Sequence, residues 1–305
     1  MAALRVGIVG AGAWARMVHI PAALTCDRVE LVGILARSQP VGLPDEVAAR
    51  MNPPDFWDRV DAVVFAVPPE VQAVLAARAI AAGRHVVLEK PVALTTEAAH
   101  DLAVAAERRG VHAITFFPHR LDPEVSQWAT AQRDRGGWVL GHAESFSSVL
   151  VDAGNPFHSG WRTRVGALWD LGPHAVAQLC AVLGSVERVA AAHGRGDVGV
   201  VRLHHEQGAV STVALGADFP PPAPAGSGAV FIGDAGRVVQ PAIADWTGTA
   251  QNAARVALTH LADQVEGSAG AHASDLWFGA HVTAVLDAAE RAMASGREVV
   301  LSGRV

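Results

Sequence analysis

The 305-residue sequence contains no tyrosine, two cysteines and a single lysine among its 24 lysine and arginine residues. The absence of tyrosine excludes reductases that donate a proton from a tyrosine–lysine pair. Cys26 and Cys180 lie far apart in the chain, without the spacing of metal ligands, so we predict no metal site. This argues against the zinc alcohol dehydrogenases, and the low cysteine content is typical of the reducing cytoplasm.

Basic runs and long apolar stretches are also missing. The formal net charge is −6, so nothing in the sequence indicates nucleic-acid binding. No apolar stretch reaches the length needed to span a membrane, and the chain enters a strand directly without a signal or transit peptide pattern. Half of the residues are hydrophobic and 18% are charged, which is typical of a globular protein. We therefore expect a cytoplasmic protein whose partner is a small molecule, not a nucleic acid or a membrane.

The N-terminal stretch LRVGIVGAGAWARMVHIPAAL (4–24) reads as an apolar strand, a glycine turn and a helix. Gly10, Gly12 and Ala15 form a G-x-G-x-x-A motif within it. Gly10 would make the tight turn, Gly12 would let the backbone approach a pyrophosphate, and Ala15 would let the helix pack closely on the strand. A tight turn alone would look similar. The position of the motif between strand and helix favours a dinucleotide site.

Further apolar runs alternate with helical patterns up to residue 118. The runs lie at 29–38, 61–69 and 85–91. The clearest helical pattern is 70–83, with Gly83 as its cap. Such alternation predicts a parallel, doubly wound sheet, so we assign residues 1–118 to a Rossmann domain. Four prolines between the second and third strands predict a stunted helix there.

The residues that end the second strand bear on the choice of cofactor. An NAD enzyme usually has an acidic residue there that binds the ribose 2′-hydroxyl, whereas this chain has Ala36, Arg37 and Ser38. A guanidinium and a hydroxyl suit a 2′-phosphate, so NADP(H) is favoured over NAD(H). Arg37 as an ordinary solvated residue stacking on adenine is the alternative. The candidate cofactor contacts are Gly10, Gly12, Ala13, Trp14, Ala15, Ala36, Arg37, Ser38, Ala66, Val67, Pro68, Gln72, Glu89 and Lys90.

After residue 118 the pattern changes to strand-like runs joined by glycine turns. Gln207-Gly208 and Ala235-Gly236 are typical of hairpin turns, and FPPPAPAGSG (219–228) is typical of a surface loop. We predict that residues 119–305 form an α+β domain for substrate binding and oligomerisation, with a large, mostly antiparallel open sheet. Its expected helices lie near 173–184, 249–266 and 274–294.

The stretch WRTRVGALWDLGPHAVAQLCAVLG (161–184) combines a helix with polar residues at its start. One apolar stripe of the helix contains Val176, Leu179, Cys180 and Leu183. His174 lies near the opposite side, and Asp170 falls within about 40° of it. Pro173 requires this to be the first turn. Asp170 and His174 are therefore candidate site residues; the alternatives are an N-cap for Asp170 and a core or surface imidazole for His174.

The only lysine, Lys90, lies in HVVLEKPVAL (85–94). Because the pKa of a lysine falls readily on desolvation, lysine can take part in proton chemistry from which arginine is excluded. The alternatives are chance, or an apolar stem lying along a core edge. The neighbouring motifs therefore decide how Lys90 is interpreted.

Taken together, these motifs resemble the Gfo/Idh/MocA family, the glucose–fructose oxidoreductase and inositol dehydrogenase group. The similar segments are GIVGAGAWARMVHIPAAL, DAVVFAVPPEVQ, HVVLEKPVALTTEAA, FFPHRLDP, GWR and GALWDLGPH. The specific part is E-K-P after the fourth apolar strand, with D-x-G-x-H beginning 80 residues after Lys90. The resemblance implies that Lys90, Asp170 and His174 converge on the substrate carbon that faces the nicotinamide. It also implies a cis Lys90–Pro91 peptide and a homo-oligomer, dimer or tetramer, formed through the open second-domain sheet.

Two departures from the family pattern affect the adenine pocket and the substrate loop. Members commonly carry an asparagine and a histidine after the proline of the third strand, whereas this chain has Glu70 and Gln72. The chain is also shorter than most members, mainly after the second strand and in the second domain.

The resemblance implies hydride transfer between nicotinamide C4 and a C–OH or C=O carbon of a sugar, deoxysugar, polyol or cyclic diol. The candidate substrate contacts are Phe117, Arg120, Trp161, Arg162 and His174. Aromatic residues near the motifs favour a less hydrophilic substrate; they are Phe116, Phe117, Phe146, Phe157, Trp161 and Trp169. A non-catalytic NADP-binding sensor, or a reductase of an imine or enone-like substrate, are the alternatives.

Overall fold

The computed structural model describes residues 2–40, 42–221, 226–234 and 236–301. The strands are β1 (Leu4–Val9), β2 (Val29–Leu35), β3 (Ala62–Phe65), β4 (His85–Glu89), β5 (Ala113–Phe116), β6 (Trp138–Phe146), β7 (Val186–His193), β8 (Gly199–His205), β9 (Val210–Gly216), β10 (Gly226–Gly233), β11 (Gly236–Val239) and β12 (Val299–Val300). The helices are α1 (Ile20–Leu24), preceded by a π-helical turn (Ala15–His19), α2 (Asp45–Ala48), α3 (Phe56–Arg59), α4 (Pro69–Ala81), α5 (Thr96–Arg109), α6 (Pro118–Leu121), α7 (Pro123–Arg135), α8 (Gly160–Asp170), α9 (Gly172–Leu183), α10 (Trp246–Val265) and α11 (Leu276–Ser295).

The chain forms two compact units. Unit one consists of Met1–Ala93, Glu97–Asp122 and Ala244–Gly279. Its strands form a parallel sheet in the order β2-β1-β3-β4-β5. Every residue of β3 and β5 is buried, as expected for a parallel sheet whose two faces are both covered. This confirms the predicted Rossmann sheet.

The connections of unit one follow the sequence signals closely. Helix α4 ends at Ala81, and Gly83 just beyond it has φ +72°, a left-handed conformation that glycine adopts without strain. Between β2 and β3 the chain forms only α2 and α3, four residues each. The prolines of this stretch explain the short helices, because proline blocks helix propagation.

Unit one also contains a late segment of the chain, Ala244–Gly279, which the sequence analysis assigns to the second domain. Helix α10 buries a face of small residues in the same core as β1 and β2; they are Ala250, Ala253, Ala254 and Ala257. Alanines let a helix approach closely, so α10 packs well there. Arg28 adds ion pairs to Asp263 (2.8 Å) and Glu266 (2.5 Å). An assignment in chain order places Ala244–Gly279 in the second domain, because it assumes that each domain is one continuous stretch of chain.

Unit two consists of Leu94–Thr96, Pro123–Ile243 and Ala280–Val305. Its sheet has the order β11-β10-β6-β9-β8-β7-β12 and is antiparallel except for the parallel pair β6 and β9. Gly208, with φ +90°, lies in the predicted hairpin between β8 and β9. Ala235 of the other predicted hairpin and residues 222–225 of the predicted proline loop fall outside the described residues. The mostly antiparallel sheet is confirmed.

Helix α9 packs directly on strand β6 of this sheet. A Cβ at Gly141 would lie 2.7 Å from Leu183 and 2.9 Å from Leu179, so only glycine lets the helix come this close. Both leucines belong to the predicted apolar stripe, which is buried as expected. Unit two also contains helices α7 and α8, which the sequence does not predict. Within the part of the chain that is described, no helix combines the length and the apolar character needed to cross a membrane.

The burial of His119 in α6 makes the stability of the fold depend on pH. Its side chain is buried, its ring lies 5.2 Å from that of Trp246, and burial lowers its pKa to about 4. An unfolded histidine has a pKa near 6.5. Below that pH the unfolded chain takes up a proton that folded His119 resists. Stability from the neutral imidazole is therefore complete above about pH 6.5 and is lost as the pH falls towards 4.

We expect His119→Phe to weaken this acid dependence. Between pH 7 and pH 4 the fall in the free energy of unfolding should shrink by about 3 kcal/mol, measured by urea unfolding. Burial also lowers the pKa of His272 and His281 to about 4, so some dependence should persist. The control His193→Gln changes an exposed imidazole and should follow the wild-type curve. A His119→Phe curve that parallels the wild type would contradict this account.

Candidate active site

The two glycines of the turn after β1 are needed for different reasons. Gly10 has φ +114°, and a Cβ there would lie 2.2 Å from the carbonyl oxygen of Ala66, so the fold itself requires glycine. At Gly12 a Cβ would meet nothing within 4 Å. Ala15 is fully buried where the π-helical turn begins. The open space at Gly12, next to the start of a helix, fits the pyrophosphate of a dinucleotide.

Glu89, at the end of β4, joins this turn to the E-K-P segment. Its Oε1 accepts a hydrogen bond from Trp14 Nε1 (2.5 Å) and lies 2.7 Å from His19 Nε2. His19 is buried, and its ring lies 4.8 Å from that of Phe116. Trp14 and Glu89, both predicted cofactor contacts, thus bind each other. His19 could not be predicted as a site residue, because one histidine among 14 carries no local signal.

Gln72 fixes the backbone on both sides of Lys90. Its Oε1 accepts from the N–H of Glu89 (2.8 Å), and its Nε2 donates to the carbonyl oxygens of Glu89 (2.7 Å), Pro91 (3.1 Å) and Val92 (3.3 Å). The side chain is fully buried. The side-chain amide of this predicted cofactor contact is engaged by the protein backbone. The Lys90–Pro91 peptide is cis, as expected, and Lys90 is half-buried.

The end of β2 presents the residues that bear on cofactor choice. Arg37 and Ser38 are exposed. The N–H of Ala36 donates to Asn52 Oδ1 (2.8 Å), so Asn52 fixes the backbone just before them. Asn52 has a left-handed φ of +47°, which asparagine tolerates better than most residues. The half-buried residues after β3 lie where the carboxyl ends of parallel strands meet; they are Ala66, Val67 and Pro68.

Phe117 and Arg120, two predicted substrate contacts, are buried within unit one. Phe117 is 2% exposed and packs edge-on against Phe278, 5.5 Å between ring centroids. Arg120 donates to Ser274 Oγ (3.2 Å) and to the carbonyl oxygen of Ala273 (2.7 Å). Its guanidinium also lies 3.8 Å from the centroid of the Phe278 ring. Both side chains contact the late segment of unit one, Ala244–Gly279.

In unit two, Asp170 and His174 lie on either side of the junction between α8 and α9. Asp170 is the last residue of α8, and Leu171 is the N-cap of α9, so the N-cap interpretation of Asp170 is wrong. Pro173 lies in the first turn of α9, as predicted. His174 is half-buried, as is Ala181 two turns later, whereas Gln178 on the same side of α9 is buried.

Asp170 forms an ion pair with Arg162 that the sequence analysis did not foresee. Arg162 Nε lies 3.0 Å from Asp170 Oδ2, and the two side chains are 19% and 7% exposed. Arg162 Nη1 also donates to the carbonyl oxygen of Phe157 (3.0 Å) and to Ser159 Oγ (3.3 Å). The guanidinium lies 4.5 Å from the Trp161 ring centroid. Removing Arg162 would leave a poorly solvated carboxylate, which is costly.

Comparison with known proteins identifies the family. Residues 4–117 match the family described as "Oxidoreductase family, NAD-binding Rossmann fold" (GFO_IDH_MocA). The rhizopine catabolism protein MocA of Rhizobium meliloti is 30% identical over 237 residues, covering 72% of this chain and 74% of MocA. The chain belongs to the Gfo/Idh/MocA oxidoreductase family. The resemblance drawn from the sequence motifs is thereby confirmed.

Solved structures of this Gfo/Idh/MocA type match nearly the whole chain. GenD2 from gentamicin A biosynthesis, solved in complex with NAD, is 25% identical, with 99% of this chain and 97% of GenD2 covered and a TM-score of 0.79. The WlbA dehydrogenase of Bordetella pertussis, in complex with NADH and UDP-GlcNAcA, is 23% identical, with 99% of both chains covered and a TM-score of 0.81. The WlbA match supports the fold alone.

Proposed function

We propose that this oxidoreductase prefers NADP(H) and transfers a hydride between nicotinamide C4 and a C–OH or C=O carbon of a sugar, deoxysugar, polyol or cyclic diol. The observation that carries the proposal is the backbone clamp around Lys90. The side chain of Gln72 is fully buried, and both of its polar atoms form hydrogen bonds with backbone groups of Glu89, Pro91 and Val92. Such fixing of the chain's only lysine is what a catalytic ammonium needs, and a solvated surface lysine does not need it.

The bound cofactor would supply or accept the hydride, and the protein would manage charge and proton. In the oxidative direction, His174 takes the proton of the substrate hydroxyl; in reduction it returns one to the nascent alkoxide. The Lys90 ammonium stabilises the negative charge that develops on that oxygen. Asp170, paired with Arg162, stabilises the imidazolium form of His174.

The side chains around Asp170 support a substrate of limited polarity. Trp161 and Phe157 flank Arg162, and that guanidinium already pairs with Asp170. An arginine already paired with a carboxylate is a poor partner for the phosphate of a phosphorylated substrate. A deoxysugar or a cyclic diol fits this surface better than a sugar phosphate.

A substrate panel tests the proposed function. Nicotinamide absorbance is followed with polyols, ketosugars, dihydrodiols and cyclic imines, each with NADP(H) and with NAD(H). Turnover of a carbonyl or hydroxyl compound supports the proposal, and turnover of imines alone would replace it with the imine reductase alternative. Cofactor binding without turnover anywhere in the panel would favour the sensor.

Arg37 provides a test of the cofactor preference. If Arg37 binds a 2′-phosphate, Arg37→Ala should weaken NADPH binding by about 10- to 100-fold, the value of a lost charge-assisted hydrogen bond or two. NADH binding should change little, because NADH lacks that phosphate. Arg108→Ala, which removes an exposed guanidinium from α5, is the matched control. Equal losses for both cofactors would mean that Arg37 only stacks on adenine.

The open sheet of unit two supports a homo-oligomer, dimer or tetramer. Leu140, Val200 and Ile232 are exposed large apolar side chains on β6, β8 and β10. Strands β10 and β6 are neighbours and β9 separates β6 from β8; apolar residues exposed across one sheet are typical of a protein–protein interface. Sedimentation velocity tests this proposal, and a monomer at all concentrations would contradict it.

A further inference from the structure

Helix α8 is interrupted four residues before Asp170. Gly166 has φ +69° and ψ −172°, so the helix stops there and starts again at Ala167. A restarted helix has backbone N–H groups without an acceptor one turn earlier. The N–H of Ala167 donates instead to the carboxylate of Asp197, 2.9 Å from Oδ2 and 3.2 Å from Oδ1.

Asp197 lies in the turn between β7 and β8, 30 residues beyond Ala167. Its Oδ2 also accepts from the N–H of Ala217, just after β9 (3.1 Å), and its own N–H donates to Asp218 Oδ2 (3.0 Å). One carboxylate therefore joins the helix restart, a hairpin turn and the end of a central strand. Burial raises the pKa of Asp197, and the neighbouring carboxylates of Asp218 and Asp170 act in the same direction.

The carboxylate of Asp197 lies directly against Gly166, the residue at the helix break. A Cβ at Gly166 would lie 2.4 Å from Asp197 Oδ1, and its positive φ is one that other residues rarely adopt. Glycine therefore both allows the break and leaves room for the acceptor. An ordinary N-cap comes from the residue just before the helix, whereas this one comes from a distant hairpin.

We propose that Asp197 is a positioning residue that fixes the restart of α8 at Ala167 and, through it, the placement of Asp170 and His174. Leu171 N–H donates to the carbonyl oxygen of Ala167 (2.8 Å), so a shift at Ala167 passes on to the junction with α9. This inference rests on the proposed function, in which Asp170 and His174 handle the proton. Asp197 itself touches neither substrate nor cofactor in this role.

Three variants test the role. Asp197→Ala removes both acceptor oxygens. Asp197→Asn keeps one acceptor oxygen but replaces the other with an NH2 group. That group cannot accept a hydrogen bond from the N–H of Ala167 or Ala217. Gly166→Ala attacks the same contact from the helix side. Asp234→Asn, in the turn between β10 and β11 of the same sheet, is the matched control because Asp234 is exposed.

We expect Asp197→Ala and Gly166→Ala to lower kcat by about 10- to 100-fold, as displacement of catalytic groups by about 1 Å does. The Kd for NADPH should stay near the wild-type value, because the glycine turn is unchanged. Asp197→Asn should lose less, and Asp234→Asn nothing. Hydrogen–deuterium exchange over residues 167–174 should be faster than in the wild type in both Asp197 variants. The increase should be smaller in Asp197→Asn than in Asp197→Ala.

The outcomes are distinct. If Asp197→Ala lowers Tm but keeps the wild-type kcat at a temperature where it is folded, Asp197 is only a structural staple and the inference fails. Unchanged exchange over 167–174 would overturn it as well. If the wild-type protein turns over nothing in the panel, the dehydrogenase proposal fails, and exchange alone still decides whether Asp197 holds the helix restart.

Discussion

Lys90→Arg should lower kcat/KM by about 10²- to 10³-fold while leaving the Kd for NADPH close to that of the wild type. The substitution keeps the positive charge. A guanidinium is larger, however, does not release a proton in this pH range, and spreads its charge over a plane. The backbone cannot move to accommodate it, since Gln72 holds the residues on both sides.

The same exchange made elsewhere controls for charge and size. Arg108→Lys puts a lysine on the exposed face of α5 and should leave turnover unchanged. Circular dichroism and the melting temperature establish that both variants are folded. Wild-type kcat/KM for Lys90→Arg on the true substrate would show that Lys90 has no part in the chemistry.

The two glycines of the N-terminal turn should respond oppositely to alanine. Gly10→Ala places a Cβ 2.2 Å from a backbone oxygen at φ +114°, so we expect a loss of about 2–5 kcal/mol in the free energy of unfolding. Gly12→Ala meets no protein atom within 4 Å, so stability should be unchanged. Its methyl group would occupy the space assigned to the pyrophosphate, and the Kd for NADPH should rise by at least about 10-fold.

Chemical denaturation and cofactor titration, run on the same preparations, measure both effects. Gly270→Ala is the matched control, because a Cβ there also meets nothing within 4 Å and the residue lies outside the motif. It should change neither stability nor affinity. Wild-type affinity in Gly12→Ala would contradict the location of the pyrophosphate at this turn.

Features with a local repeat or motif could be predicted from the sequence. The strand–glycine turn–helix unit, the apolar stripe of α9 and the first-turn position of Pro173 are confirmed. Each depends on residues within a few positions of one another, where steric rules and periodicity act directly. The family motifs added the cis Lys90–Pro91 peptide, which no local rule would give.

The supporting contacts could not be predicted, because they join residues far apart in the chain. Gln72 lies 17 residues from Glu89, and His19 lies 70 residues from it. Asp197 reaches back 30 residues to Ala167. Such pairs leave no periodic trace, and glutamine, histidine and aspartate also occur on protein surfaces without such contacts. Only the folded backbone brings them together.

The contacts that bury Phe117 and Arg120 could not be predicted from their motif. Both lie in the FFPHR segment just after β5, and the sequence offers no sign that Ser274 and Phe278 return to cover them. The alanine-rich face of α10 is a similar case. Its pattern predicts a helix correctly but cannot say which core receives it.

Transfer of deuterium from cofactor to substrate tests the central claim most directly. NADPH deuterated at nicotinamide C4 is incubated with the carbonyl members of the panel, and products are analysed by mass spectrometry. The account predicts one deuterium on the carbon that becomes C–OH, with the transfer slowed by about 10²- to 10³-fold in Lys90→Arg. Bound NADPH that yields no deuterated alcohol from any of these compounds would contradict it.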